Sequence, residues 1–287
     1  MKKLLAVMFA IAMVFSCLAG CQVVENEGPG KNPYNLKTVK EGYLTVATSP
    51  DYAPYEFYDM NSGKAQLAGF DIAMAGYIAD YLGLTLELVP MDFDGVLMEI
   101  QNKKCDLAMA GLSPRADRAD IMDFSLIYYT SEQSLVTYNG KITSLEQAND
   151  KSVKIGVQIG SIQEGLAKEN TPNADIIPLA KVTDIIAELV SGKLDAAFIE
   201  TPVVNAYKSQ YEGLGIVCTI AEEDNGNIIG VYKDNADLLK YVNEAMQKAL
   251  DDGTFNTFVK EAFEAATGEI YEGVLGDSQP ATGETGN

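Results

Sequence analysis

Along most of the chain, short apolar runs alternate with stretches in which apolar residues recur at helical spacing. Residues 43–48 (YLTVAT) read as a buried strand and are followed by a Ser-Pro-Asp-Tyr-Ala-Pro loop. Phe70, Met74, Tyr77, Ile78, Tyr81 and Leu82 then share one helical face that stops at Gly83, a residue suited to the left-handed position just past a helix. Residues 84–89 predict a second strand, 96–101 a helix and 106–110 a third strand. The same order returns later: a strand over 152–157, a helix from 162 to 168, a strand over 176–178, a helix over 183–191 and a strand over 195–199. This alternation predicts an α/β fold with two mainly parallel sheets and flanking helices.

An offset of 89 residues lays the second set on the first. It brings Val96 onto Ile185, Glu99 onto Glu188, Ile100 onto Leu189, Lys104 onto Lys193, Asp106 onto Asp195 and Ala108 onto Ala197. Any helix followed by a strand shares part of this pattern, so the identities leave a true repeat open. Either way the chain holds two similar lobes. Residues 133–138 (QSLVTY) and 227–233 (NIIGVYK) are extended apolar segments between them, and the long helical region 236–263 returns the chain to the first lobe. The two segments are expected to form a two-strand hinge. The expected boundaries are 36–137 with 232–271 for the first lobe and 138–231 for the second.

Composition narrows the function. The 287 residues suit two domains, and a formal charge of -20 repels phosphate backbones, which argues against nucleic acid as a partner. Histidine is absent, which removes Ser-His-Asp and Cys-His catalysis in their usual forms and every His-containing metal site. The four cysteines show no metal-ligand spacing and no DxDxDG loop is present, so neither metal nor cofactor is expected.

The start of the chain reads as an export segment. Lys2 and Lys3 precede an apolar stretch over 4–15, the length of a signal core and too short to span a bilayer. Leu18-Ala19-Gly20-Cys21 resembles the bacterial lipobox, in which the cysteine receives a lipid; a plain secretion signal is the alternative. The expectation is a signal peptide over 1–20, a lipid on Cys21 anchoring the protein outside the cytoplasm, a flexible tether to residue 35 and a disordered tail over 272–287. Cys105 and Cys218 fall in different lobes, where a bridge would lock the hinge, so both are expected to be free.

Ligands of doubly wound sheets sit where the carboxyl ends of strands meet loops and helix N-termini. Here the third strand of the first lobe ends in Ala110-Gly111-Leu112-Ser113-Pro114 and its counterpart in Ile199-Glu200-Thr201-Pro202. Arg118, five residues past Ser113, suits a forked grip on a carboxylate, and Glu200 suits an ammonium group. Arg118 could equally be a solvated arginine paired with Asp117 or Asp120. Gly160-Ser161-Ile162-Gln163 places free amides at a helix start, where an anion is stabilised; an ordinary cap at Ser161 is compatible with that role. Tyr52, Tyr55, Phe57 and Phe93 are either core lids or the walls of a side-chain pocket.

These residues carry a family resemblance. The segments LTVATSPDYAPYEF at 44–57, GFDI at 69–72, MDFDG at 91–95 and DLAMAGLS at 106–113 resemble the family 3 extracellular solute-binding proteins of polar amino acid ABC transporters. Arg118, Tyr128-Tyr129, GVQIGSIQ at 156–163 and LDAAFIETP at 194–202 continue the likeness in the order and spacing of that family. The resemblance implies a two-lobed, type II periplasmic-binding-protein-like fold that captures an amino acid, does no catalysis and acts as a monomer delivering to a membrane permease. It implies that Arg118 binds the ligand carboxylate with Ser113 and the amides near Ser161 and Ile162. Gly111 and Glu200 would receive the ammonium, and Tyr52 and Phe93 would cover the side chain. Ser49, Leu112 and Gln158 complete the expected site. Ser49 stands where many members carry Asp, and Ile199 makes one wall apolar, so a neutral amino acid is expected. The cyclohexadienyl dehydratases, enzymes on a similar fold, supply the alternative function.

Overall fold

The computed structural model describes residues 28–220 and 226–268. The expected signal peptide, Cys21, the first part of the tether and the tail over 272–287 lie outside the described residues. The first lobe opens with β1 (Tyr43–Thr48), whose residues after Tyr43 are all buried. Three short strands follow, β2 (Asp51–Tyr52), β3 (Glu56–Asp59) and β4 (Gln66–Ala68), and these form a small antiparallel sheet the sequence pattern did not announce. Then come α1 (Phe70–Leu82), β5 (Thr85–Pro90), α2 (Phe93–Gln101), β6 (Leu107–Ala108) and β7 (Met122–Phe124).

The second lobe runs through β8 (Gln133–Tyr138), α3 (Leu145–Ala148), β9 (Lys154–Gln158), α4 (Ile162–Asn170) and β10 (Asp175–Leu179). It continues with α5 (Val182–Val190), β11 (Ala196–Glu200), α6 (Thr201–Lys208) and β12 (Leu214–Ile220). The chain then returns through β13 (Gly230–Tyr232), α7 (Ala236–Asp251) and α8 (Thr254–Thr267).

Each lobe is built on a five-stranded sheet, in order β5-β1-β6-β13-β7 for the first and β10-β9-β11-β8-β12 for the second. In both, the first three strands are parallel and the fourth runs antiparallel to its neighbours. The 89-residue offset is structural: it carries α2 onto α5, and it carries Leu107 and Ala108 onto Ala196 and Ala197. Asp106 and Asp195 also do the same work, because each carboxylate accepts from a backbone N–H near the start of the neighbouring strand, at Thr45 (2.9 Å) and Lys154 (2.7 Å).

The hinge differs from expectation in detail. Strand β8 pairs with β11 and β12, so residues 133–137, expected with the first lobe, belong to the second sheet. Conversely β13 begins at Gly230, inside the first sheet, two residues before the expected return. The crossing point is the antiparallel bridge between Tyr129 and Asn227, where Asn227 N–H donates to the Tyr129 carbonyl at 2.7 Å. Apolar segments are thus consumed as antiparallel strands, each completing one sheet, and the polar or aromatic residues ahead of them make the crossover.

The tether is also shorter than expected. Gly30 N–H donates to the Gly42 carbonyl at 2.8 Å, Asn32 N–H to the Gly83 carbonyl at 3.0 Å, and the Tyr34 ring lies 4.4 Å from that of Tyr241. Residues 30–35 therefore pack on the first lobe. Gly83 ends α1 at φ 65°, as its position in the pattern predicts. The helical region 236–263 is two helices, broken at Gly253, whose φ is 79°. On α1, Phe70, Met74, Ile78 and Leu82 are fully buried, each contributing about 1.5–3 kcal/mol by leaving water. Cys105 is buried in the first lobe and Cys218 half-buried in the second; both are free thiols.

Candidate ligand-binding site

The parallel strands of both lobes point their carboxyl ends at one cleft. Its first-lobe wall is the loop after β6, whose sharp turn uses Gly111 at φ 55°. A Cβ there would lie 2.9 Å from the Tyr52 ring, so the bare backbone lets that ring lie against the loop. The second-lobe wall is the start of α4, where Ser161 caps the helix by accepting from the Glu164 N–H at 3.3 Å.

Tyr52, Phe93, Gly111, Ser113, Arg118, Gln158, Ser161 and Ile162 line a single small cavity, joined by Ala110 and Gln163. The space between them is about 10 Å³, roughly the room of one water, so an amino acid enters only as the lobes part. Phe93 is the first residue of α2, which begins three residues ahead of the expected helix start at 96. Three expected residues lie elsewhere. Ser49 is buried and donates to Asp51 Oδ1 at 2.8 Å. Leu112 is wholly within the first-lobe core, its carbonyl accepting from Ile228 N–H at 2.7 Å. Glu200 stands behind Tyr52 and does not line the cavity. Ile199 is likewise core.

Arg118 is 3% exposed. Its Nη1 donates to the Ser113 carbonyl at 2.8 Å and its Nη2 crosses the cleft to the Gly160 carbonyl at 3.1 Å. The guanidinium carbon is 5.6 Å from the Phe93 ring centre. No carboxylate among the described residues pairs with it within 4 Å: the ion pair with Asp117 belongs to Arg115. Burial, then the neighbouring Arg115, bring its pKa down to about 10, so the charge is retained at neutral pH.

Glu200 ends β11, 2% exposed, and accepts from Tyr52 and Tyr55 hydroxyls at 2.9 Å each, from Asn227 Nδ2 at 3.3 Å and from Ser131 Oγ. Burial raises its pKa, and these donors oppose the rise. Asn227 also donates to the Gly111 carbonyl at 3.1 Å. Asn227 and Ser131 escaped the sequence reading, and Gln163 entered it only as part of the turn that starts α4, without the network in which it donates to Tyr52 Oη at 3.2 Å and to Gln133 Oε1 at 2.8 Å. Asn227 had one legible signal, a polar residue at the head of an apolar segment, and it is 1% exposed.

Beneath the cleft lie more acids. Asp51 accepts from Val182 N–H at 2.5 Å and Gln158 Nε2 at 3.3 Å, both in the second lobe. Asp71 accepts from Gly111 N–H at 3.1 Å and Tyr128 Oη at 2.7 Å, and burial brings its pKa up to about 6. Both carboxyl oxygens of Glu56 are buried and receive no donor among the described residues; burial, then nearby Asp71 and Asp51, push its pKa well up, and as the neutral acid its O–H can donate to Asp71. No group of acids or cysteines among the described residues is arranged to hold a metal ion.

Two lobes, two crossovers and a cleft at the strand ends define a type II periplasmic-binding-protein-like fold. The comparison with known proteins goes one step further. Residues 44–265 match the bacterial extracellular solute-binding proteins, family 3, and the chain belongs to that family. It is similar to the arginine-binding extracellular protein ArtP of Bacillus subtilis, with 31% identity over 94% of this chain and 100% of that one. Its fold is similar to that of an amino acid ABC transporter substrate-binding protein, AbpA of Streptococcus pneumoniae, solved with L-arginine. There the TM-score is 0.75 with 35% identity, covering 79% of this chain and 96% of the other. A cyclohexadienyl dehydratase of Pseudomonas aeruginosa is 29% identical over 55% of this chain and 59% of its own length.

Proposed function

We propose that this protein captures a free amino acid between its lobes outside the cytoplasm and hands it to an ABC transporter permease. The observation that carries this reading is Arg118: a buried, charged guanidinium in the cavity, held by two carbonyls and paired with no carboxylate among the described residues. A ligand carboxylate would supply the missing anion, with Ser113 and the amides at the start of α4 beside it. Glu200 would take the ammonium once Tyr52 moves, together with the Gly111 carbonyl. Tyr52 and Phe93 would cover the side chain. The ligand favours the closed lobes because only there do both charged groups reach it.

The side chain of the ligand separates two readings. A neutral amino acid follows from the cavity lining, which offers Gln158, Gln163 and aromatic rings but no carboxylate, and from Ser49, whose hydroxyl is turned to Asp51. L-Arginine follows from the named relatives and from Asp51, which lies directly behind Gln158. Calorimetry of the mature protein against the twenty amino acids tests both: micromolar binding, about -8 kcal/mol, is the expected outcome. Binding of none of them sinks the proposal.

The protein is proposed not to be an enzyme. Prephenate and arogenate are expected to survive incubation with it, and their loss would favour the dehydratase alternative, for which Glu200 would be the acid or base. The proposal includes a monomer anchored through a lipid on Cys21. Labelled palmitate incorporated by the wild type and not by Cys21→Ser is the expected outcome.

A further inference from the structure

Arg115 stands three residues before Arg118, and the family resemblance gives it no role. We propose that Arg115 is a clasp that holds the lobes shut over Arg118 and so sets how long a captured ligand stays. The inference rests on the reading of the cleft as an amino acid site that closes on its ligand.

Arg115 is anchored in the first lobe by a fork to Asp117: Nε donates to Oδ1 and Nη2 to Oδ2, each at 2.8 Å. The fork fixes the plane of the guanidinium. Its remaining nitrogen, Nη1, donates to the Ser161 carbonyl at 3.2 Å. Ser161 caps α4 in the second lobe, so this bond spans the cleft at the same helix end that Arg118 reaches through Gly160. Because Asp117 already orders the side chain, closure costs little further freedom at Arg115.

The position is that of a gate. A pocket of about 320 Å³ lies on the solvent side of Arg118, bordered by Arg115, Gly160, Ser161, Glu164 and Lys168. The Arg115 side chain is 35% exposed, so it can remain hydrated when the lobes part. It also lies close enough to Arg118 to depress that group's pKa, which is like-charge repulsion. A carboxylate bound at Arg118 screens that repulsion. The clasp therefore closes more firmly on an anion than on an unloaded cleft.

The test uses the full mature chain, with L-arginine and L-glutamine as probes, stopped-flow release rates and small-angle scattering. Arg115→Ala is expected to release the bound amino acid about tenfold faster, with association changed by less than twofold, and to enlarge the radius of gyration of the free protein. Arg115→Lys keeps the charge but not the fork and should match Ala; Asp117→Asn should fall between. Wild-type release rates in Arg115→Ala, or full restoration by Lys, would overturn the clasp. Where neither probe binds, an amino acid that calorimetry shows to bind replaces them, and if none of the twenty binds the wild type, the amino acid reading is what fails. The clasp is then judged on the free protein, where an unchanged radius of gyration in Arg115→Ala overturns it.

Discussion

Arg118 and Glu200 are buried charges of opposite sign on opposite lobes, and the cleft solvates them differently. Glu200 accepts from four donors, supplied by the first lobe and the crossovers, so its charge is met within the protein. Arg118 has two carbonyls and a ring face, which use two of its five N–H groups. The difference teaches where binding free energy resides. A carboxylate arriving at Arg118 gains donors that nothing else among the described residues has claimed. An ammonium arriving at Glu200 replaces partners already present, so its net gain is smaller.

The largest expected effect follows directly. Arg118→Ala should weaken amino acid binding at least a hundredfold, about 3 kcal/mol, by calorimetry, since charged hydrogen bonds are worth about 1.5–3 kcal/mol each. Arg118→Lys should not rescue it, because a point charge cannot span the Ser113 and Gly160 carbonyls and a ligand carboxylate together. A variant that binds within threefold of the wild type would break the comparison at its stronger end.

Glu200→Gln should cost about tenfold, roughly 1.4 kcal/mol. The amide oxygen can still accept from Tyr55 while the amide NH2 turns to the Tyr52 hydroxyl oxygen, so the fold is kept. An α-hydroxy acid in place of the amino acid should bind Glu200→Gln and wild type alike, while both lose it on Arg118→Ala. Acid should act through the same residue. A protonated Glu200 cannot pair with an ammonium, so affinity falls as pH drops through its raised pKa, and the Gln variant should lose that limb. An identical acid limb in both proteins would assign it elsewhere.

How much of this asymmetry is legible without coordinates depends on range. Arg118 and Ser113 are five residues apart on one loop, and α4 begins where Gly160 and Ser161 predict, so the cationic side of the site follows from local pattern. The anionic side does not. Tyr55 and Glu200 are 145 residues apart, and Asn227 is brought to both only by the crossover bridge to Tyr129. Nothing local distinguishes Tyr55, which is buried, from Tyr58, which is exposed, as the ring whose hydroxyl finds a carboxylate. The lobes themselves are legible because periodicity reports burial. The assignment of β8 and β13 to sheets is not, because an apolar strand reads the same whichever edge it completes.

Gly111→Ala probes the seam between the two charges. The new methyl would meet the Tyr52 ring at 2.9–3.0 Å, at a φ of 55° that side chains rarely adopt. A destabilisation of about 1–2 kcal/mol is expected. Binding should fall several-fold, because the Tyr52 ring that covers the ligand side chain is pushed aside and the Gly111 carbonyl that would accept from the ammonium is shifted. Chemical denaturation and calorimetry on the same samples separate the two effects; an unchanged fold with unchanged affinity would show that the seam is soft.

Glu56 sharpens the comparison from its other end, with the smallest expected effect on binding. It is an acid as deeply buried as Glu200 but without a hydrogen-bond donor among the described residues, and Asp71 and Asp51 add unfavourable charge. Where four donors can hold Glu200 as an anion, Glu56 is held as the neutral acid. Its folded pKa lies well above the unfolded value of about 4.3, so the folded state carries an extra proton in between. The stability this provides is complete below the unfolded pKa and is lost as pH rises through the folded one, by up to about 1.4 kcal/mol per pH unit. Glutamine cannot titrate. Glu56→Gln should therefore gain on the wild type in thermal unfolding as pH rises from the unfolded pKa of about 4.3 towards the raised folded one, with amino acid affinity changed by less than about twofold. A constant difference in Tm across that range would mean that Glu56 is ionised in the fold. Burial would then not be what separates it from Glu200.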